Sequence, residues 1–252
     1  MTLAFDKKAI RGEKNQTKLS NLFQPNPDTK PRMLKIKKVP AKQIRGYVAT
    51  YHYTHIMPDN SMECYAGYYK EKLAGVVVFG NGASNEAFTK IIPTIKVDEA
   101  RELMRLWCPD EMPKNTETRI ISEAIKSLPK KVKLVISFAD DGINHKGTIY
   151  QASNFVYLGM TKPNKMLLNK EGNKFHIRTI GSYKRRHPEI RGMSHEEIMK
   201  KYEWKYATGN AKHKYFKLIN LSHKEKKKIM KIIKEQIKPY PKKNLCEGSI
   251  KN

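Results

Sequence analysis

Two residues in the middle of this chain are of types that move protons, Asp140 and Tyr150. Asp140 closes the apolar run from Val132 to Ala139, and the carboxyl ends of strands are where open α/β sheets place their chemistry. A carboxylate there suits a general base, and a phenol ten residues on suits an acid or a group that orients a donor. Each has a structural alternative: a cap for Asp140, with Asp141 the better-placed cap, and core packing for Tyr150. Upstream, His52 and Tyr53 open a second cluster, with His55 three residues after His52. His52, His55, Asp140 and His145 together are a donor set that a first-row divalent metal such as iron accepts, though ordinary polar loop residues share this spacing. Tyr51 and Tyr53 supply π-faces of the kind an extruded base stacks on. Cys108 is a weak candidate nucleophile, and Arg105 suits a phosphate contact or an ion pair equally.

These residues need elements to hold them. Leu34 and Ile36 alternate with lysines and predict a strand over 33–39. Ile44, Tyr47, Val48 and Tyr51 fall at helical spacing and predict a helix over 41–51. Residues 62–69 and 72–80 read as a hairpin turning at Lys70-Glu71. Residues 99–107 fit strand or helix. Asn115 and Thr116 are good N-caps for a helix carrying Ile121, Ala124, Ile125 and Leu128. A buried strand at 132–139, a short helix at 146–154 and strands at 155–160 and 173–180 complete the middle. Ser194-x-x-Glu197 and Ser222-x-x-Glu225 are capping boxes, and the second opens a helix with Ile229, Ile232, Ile233 and Ile237 on one face.

Charge is segregated along the chain. The 252 residues carry a net charge of +26: residues 1–46 hold +9, residues 47–160 are neutral and residues 161–252 hold +17. A neutral middle between basic flanks points to a polyanionic partner such as DNA. Three domains are expected: a flexible basic arm over 1–32, a catalytic domain over 33–181 and a basic, partly helical nucleic-acid-binding extension over 182–252. Lys184, Arg185 and Arg186, between Tyr183 and His187, interleave cations with aromatics, as do Lys212, Lys214 and Tyr215; nucleic-acid grooves use this mixture, although a solvated basic surface has it too. No apolar run approaches the ~18 residues of a membrane span. The N-terminus lacks an apolar signal core, and three scattered cysteines fit a reducing cytoplasm.

The element order, and the run Gly147 to Phe155 with Tyr150 four residues ahead of Asn154-Phe155, resemble the GNAT acyltransferases. That likeness implies an α+β (α/β/α) fold, a mixed central sheet flanked by helices. It also implies acetyl-CoA or another activated acyl or aminoacyl donor, and a Tyr150 close to the thioester sulfur. Asn154 stands where those enzymes have glycine. Their Gly-rich phosphate loop is replaced here by Pro109 to Thr116, so donor contacts fall to Lys114, Asn115, Thr116, Arg119 and Asn154, with Leu106 and Trp107 beside them or simply in the core.

Longer strings resemble the phage Mom DNA-modification proteins over about 47–181. They are Tyr51 to His55 with Pro58, Gly75 to Gly80 with Gly82-Ala83, Glu102 to Trp107, Pro113-Lys114-Asn115, Phe138-Ala139-Asp140, and His145 through Tyr150 to Asn154. This resemblance implies an enzyme that converts adenine in DNA to an N6-carbamoylmethyl form and so shields phage DNA from host restriction, acting in the host cytoplasm. It raises His52 and Tyr53 to site residues beside Asp140 and Tyr150. Acetyl transfer alone would leave an amide, so the N–CH2 bond needs another donor, a rearrangement or a metal. Two other readings stay open: a GNAT N-acetyltransferase acting on protein or small-molecule amines, and a non-catalytic nucleic-acid-binding protein.

Overall fold

The computed structural model describes residues 30–82, 86–177 and 179–241; the expected N-terminal arm lies outside them up to residue 29, as does Ala83. The chain opens with β1 (Lys35–Lys38) and α1 (Ala41–Tyr51). Ile44 and Val48, one turn apart, are both buried, so α1 forms where its apolar spacing places it. β2 (Ser61–Tyr69) and β3 (Lys72–Gly80) make the hairpin, with Lys70 at φ 55 in its tight turn. A short α2 (Glu86–Thr89) leads to β4 (Ala100–Trp107), which settles that ambiguous segment as strand. Then follow α3 (Thr116–Lys126), β5 (Leu134–Asp140), α4 (Thr148–Ala152) and β6 (Val156–Met160). Beyond them come β7 (Lys165–Leu168), β8 (Lys174–His176), α5 (Thr179–Arg186), α6 (His195–Lys201), β9 (Lys205–Thr208), β10 (Lys212–Leu218) and α7 (His223–Ile232).

A seven-stranded sheet runs in the order β1-β2-β3-β4-β5-β10-β6. The pairs from β1 to β4 are antiparallel, and β4 with β5 is parallel. The parallel ladder is short. It runs from Ala100↔Leu134 to Leu103↔Ser137 and stops, while β4 keeps pairing with β3 as far as Trp107↔Val76. β4 and β5 therefore part after Leu103 and Ser137, leaving a fork. The mixed α+β class, a sheet flanked by helices, is as expected. Ile44 and Val48 of α1 pack with Cys64, Ala66, Val76 and Val78. A second cluster joins Leu134, Ile136, Leu158 and Phe216 to Ile229 and Ile233 at the end of the chain.

The chain divides into two compact units, at other points than the expected boundary at 181–182. The first holds the chain up to Phe138, Gly147–Gly159 and Lys214–Asn244; the second holds Ala139–Lys146 and Met160–His213. The basic stretch after 181 is thus no single extension. Tyr215 and Phe216 are fully buried, and that apolar pair draws β10 into the main sheet. α7 joins the same unit through Ile229 and Ile233, whereas Ile232 is 53% exposed and off the expected face. The second unit has its own sheet, β8-β7-β9, and its own core of Leu167, Ile180, Tyr183, Ile190 and Ile198. The strand expected over 173–180 ends at His176, and α5 starts at Thr179, where Ile180 and Tyr183 turn inward together at helical spacing. Both capping boxes form, at Ser194 with Glu197 and Ser222 with Glu225.

Candidate active site

The fork in the first unit gathers Ser137, Tyr150 and Arg105, with Tyr53 and Glu102 acting on them. Ser137, buried in β5, donates from Oγ to Leu103 O at 2.9 Å, at the last rung before the strands part. Tyr150 of α4 shares a hydrogen bond with Ser137. Desolvation pushes the Tyr150 hydroxyl up to about 12; the Ser137 bond and Arg105 oppose this, and Tyr53 and Glu102 add to it. Part of the Tyr150 side chain stays open to solvent, so the dry end is the hydroxyl end. Arg105 of β4 donates from Nε to Ile56 O at 3.0 Å and from Nη1 to Met104 O at 2.6 Å, and burial lowers its pKa. It therefore clamps backbone through two of its nitrogens, with the Glu102 charge also acting on it. Gly147, at φ +71, permits this arrangement: a Cβ there would stand 2.4 Å from the Tyr215 ring, against which Tyr150 also packs at 5.4 Å between centroids.

Two adjoining hollows meet α3 in the same unit. One, of about 410 Å³, is lined by the segment from Cys108 to Asn115 except Glu111, with Glu117 and Thr118, on one side and by Thr148, Ile149 and Ala152 of α4 on the other. The other, of about 520 Å³, is lined by four cations, Arg32, Arg119, Lys126 and Lys217, with no acid among its lining residues. Two buried polar atoms in its wall, Arg119 Nε and Ser153 Oγ, have no hydrogen-bond partner among the described residues. Asn115 caps α3 at φ 71 without a side-chain hydrogen bond. Cations, orphaned donors and a helix start uncapped by its side chain are what a phosphate-bearing molecule satisfies, so the residues fit a coenzyme A-type donor.

The expected donor residues sort by this geometry. Lys114, Asn115, Arg119 and Asn154 line the hollows. Asn154 sits at φ 57, a left-handed backbone that asparagine tolerates. Thr116 lines neither; it is buried, bonded to Tyr69 Oη at 2.9 Å and to Pro113 O at 2.6 Å. Leu106 pairs with Val77 in the sheet, and Trp107 stacks on Tyr47 and Tyr51, so both are structural. Cys108 donates to Ala74 O at 3.0 Å and burial drives its thiol pKa far up, which leaves it no thiolate. Ser137, Ser153 and Lys217 were not among the expected residues. Ser137 alone carried a signal, as the one hydroxyl in an otherwise apolar strand.

The expected metal set is not assembled: among the described residues no three His, Cys, Asp or Glu side chains are grouped to hold an ion. His52, buried, accepts at Nδ1 from Thr54 N at 3.2 Å and meets Thr54 Oγ1 at 2.9 Å. His55 Nδ1 lies 3.0 Å from Ala49 O, while Tyr53 is 48% exposed with its ring 4.4 Å from that of His52. In the second unit Asp140 Oδ1 accepts from Gly142 N at 2.9 Å and from Asn210 Nδ2 at 3.2 Å, capping the turn Asp141–Ile143. The cap is Asp140, not Asp141, because Asp141 meets buried His213 at 3.0 Å instead. His145 is exposed, its backbone N donating to Asp140 O at 3.1 Å.

Of the expected DNA contacts, Tyr215 is overturned. It is fully buried in the first unit, accepts from Gln151 Nε2 at 3.1 Å and packs on Tyr157. Lys212 and Lys214 are half-buried, and desolvation lowers the Lys214 pKa. Lys184 Nζ donates to Met193 O, and Arg185 and Arg186 are exposed. No helix among the described residues is long and apolar enough to cross a membrane.

Comparison with known proteins follows the same lines. An acetyltransferase from Bacillus subtilis in complex with CoA is similar at a TM-score of 0.39 and 11% identity, over 74% of this chain and 99% of that one. A ribosomal-protein-alanine N-acetyltransferase from Brucella melitensis gives 0.42 and 11%, over 73% and 99%. The methylcarbamoylase mom of Escherichia phage Mu is 26% identical over 215 residues, 83% of this chain and 84% of that protein. The model of the Mom protein family matches residues 33–242, and the chain belongs to that family.

Proposed function

We propose that this chain modifies DNA, adding a carbamoylmethyl group to N6 of adenine and so protecting phage DNA from restriction. The observation that carries the reading is the desolvated Tyr150 hydroxyl at the fork, on the same short helix that walls the hollows at α3. A coenzyme A-type thioester of a two-carbon amino acid, when bound, would supply both carbons and the amide nitrogen: acyl transfer to N6 releases the thiol, and the aminoacyl amide so formed is an isomer of the carbamoylmethyl product, reached by rearrangement with no atom gained or lost. Tyr150 holds its proton at Oη through neutral pH, because its pKa of about 12 lies far above it, and gives that proton to the leaving group. Ser137 and Arg105 keep the phenol in place. Arg119, Lys126 and Lys217 hold donor phosphates, and Ser153 offers them its hydroxyl. Asp140 is the base for the adenine amine, a poor nucleophile whose lone pair is delocalised; Gly142 N and Asn210 fix its carboxylate. His52 holds Tyr53 for the base to rest against. Arg185 and Arg186 grip phosphates.

Mass spectrometry of nucleosides from plasmid DNA, after expression of the chain, tests this. A modified deoxyadenosine is expected. Unmodified DNA with newly acetylated protein or small-molecule amines would transfer the reading to an ordinary N-acetyltransferase.

A further inference from the structure

Three of the nine exposed large apolar side chains among the described residues, Tyr53, Ile56 and Met62, fall within one ten-residue stretch of the first unit. Ile56 is the most exposed of the nine, at 64%. It is not the tip of a loose loop. Met57 and Pro58 behind it are buried, and Met57 belongs to the core under α1. Its own carbonyl is held by Arg105 Nε at 3.0 Å. His55 before it takes φ 51 and ties its ring to Ala49 O at the end of α1, and His52 Nδ1 accepts from Thr54 N. The backbone is fixed on both sides of a side chain that is largely exposed. Arg105 also connects the place to the chemistry, since Tyr53, Glu102 and Tyr150 all act on its charge.

A rigid apolar finger beside a site for bases has a specific use. Drawing a base out of a duplex leaves a gap in the stack, and proteins that open steps commonly fill it with Ile, Leu, Met or Phe. We propose that Ile56 is the wedge that enters duplex DNA as adenine leaves the stack, an inference that rests on the DNA-adenine reading above. Arg105 then has two duties: it holds the wedge by its carbonyl and stands at the fork that receives the base. The partner is double-stranded DNA. A single strand has no stack to hold open and gains nothing from the wedge.

The test uses the full chain with two sets of duplexes: one carries 2-aminopurine, whose fluorescence rises on unstacking, in place of the target adenine, and the other keeps adenine for the modification rate, because 2-aminopurine has no N6 amine. The wild type is expected to raise the signal on binding. Ile56→Ala is expected to cut that rise, and the duplex modification rate, by about tenfold or more, the scale set by three lost carbons of apolar contact. Ile56→Leu restores both. On single-stranded DNA all three modify adenine equally, which also proves the variants folded. An undiminished 2-aminopurine rise in Ile56→Ala, or a rate loss equal on single and double strands, would overturn the wedge. Modified deoxyadenosine from a wild type that gives no rise in any duplex overturns it as well. If the wild type modifies no DNA of either kind, the DNA-adenine reading itself has failed, and that outcome is distinguishable from the others.

Discussion

At the fork, Ser137 and Tyr150 join their hydroxyls, Ser137 donates a hydrogen bond to the Leu103 carbonyl, and Arg105 spends two of its N–H groups on backbone oxygens. At the start of α3 the reverse holds: Arg119 Nε and Ser153 Oγ are buried with nothing to bond, among four cations. Both regions lie in the first unit. A polar group satisfied before any ligand arrives is rigid and keeps its proton; one left unsatisfied is a cost that a ligand repays. The difference separates a place that holds a proton from a place that holds a charge, and substitutions in the two should fail in different ways.

Tyr150→Phe should give the largest effect. The ring contacts with Phe155 and Tyr215 survive, and only the hydroxyl is lost. Modified-adenine yield should fall by about 10²–10⁴-fold, the range of a general acid, with the melting temperature close to that of the wild type. A melting temperature that drops while yield per folded molecule holds would make Tyr150 a packing residue and remove the contrast between the regions.

Arg119→Gln should come next, with the opposite kinetic pattern. Its ion pair with Glu123 at 3.2 Å is solvent-facing and contributes little to stability. Losing a charge-assisted bond to a phosphate should weaken coenzyme A binding by about tenfold or more in calorimetry, leaving turnover at saturation near normal. Unchanged affinity would place the donor elsewhere.

The alkaline limb offers a third, smaller separation. Burial raises Tyr65, Tyr150 and Tyr215 to about 12 from a usual 10. Raised folded-state values mean the unfolded chain loses these protons first, so stability is full below pH 10 and falls as pH climbs toward 12. Each tyrosine contributes up to about 1.4 kcal/mol per pH unit to that slope. Tyr150→Phe should make it shallower in urea titrations at pH 10–12, whereas Arg119→Gln should leave it alone. Equal slopes would mean that the Tyr150 hydroxyl is not desolvated.

The sequence read the fork's scaffold well because local signals agree with tertiary demands there. α1 keeps Ile44 and Val48 one turn apart, and the hairpin's continuous apolar runs are buried on both faces around a tight turn. It read β10 as a basic surface because Lys212, Lys214 and Lys217 dominate its composition. The three lysines are only half-buried while Tyr215 and Phe216 fill the core, and only neighbouring strands reveal that. The end of β5 at Asp140 and the short helix carrying Tyr150 were legible from the apolar run before them, whereas the cap falls to Asp140 because Asp141 turns to His213 from across 72 residues. Ser153 was not legible, since a serine after a short helix carries no signal of burial. Arg105's hold on Ile56 joins residues 49 apart, beyond any local pattern.

Ser153→Ala is the smallest change and separates the regions by sign. The Ser153 hydroxyl is buried with no partner, while the bond from Lys217 Nζ at 2.6 Å goes to the Ser153 backbone carbonyl, which alanine keeps. Removing an unsatisfied buried hydroxyl should therefore stabilise the donor-free protein by about 1 kcal/mol, a rise of roughly 2–4 °C in Tm. The same substitution should weaken coenzyme A binding by about threefold to tenfold, the worth of one hydrogen bond to a ligand. Ser137→Ala, at the fork, removes a satisfied hydroxyl and should lower Tm with coenzyme A affinity unchanged. The two serines are thus expected to move Tm in opposite directions, and calorimetry with and without coenzyme A measures both. A fall in Tm for Ser153→Ala with donor affinity intact would show that its hydroxyl serves the fold and that the cationic hollow does not await a phosphate.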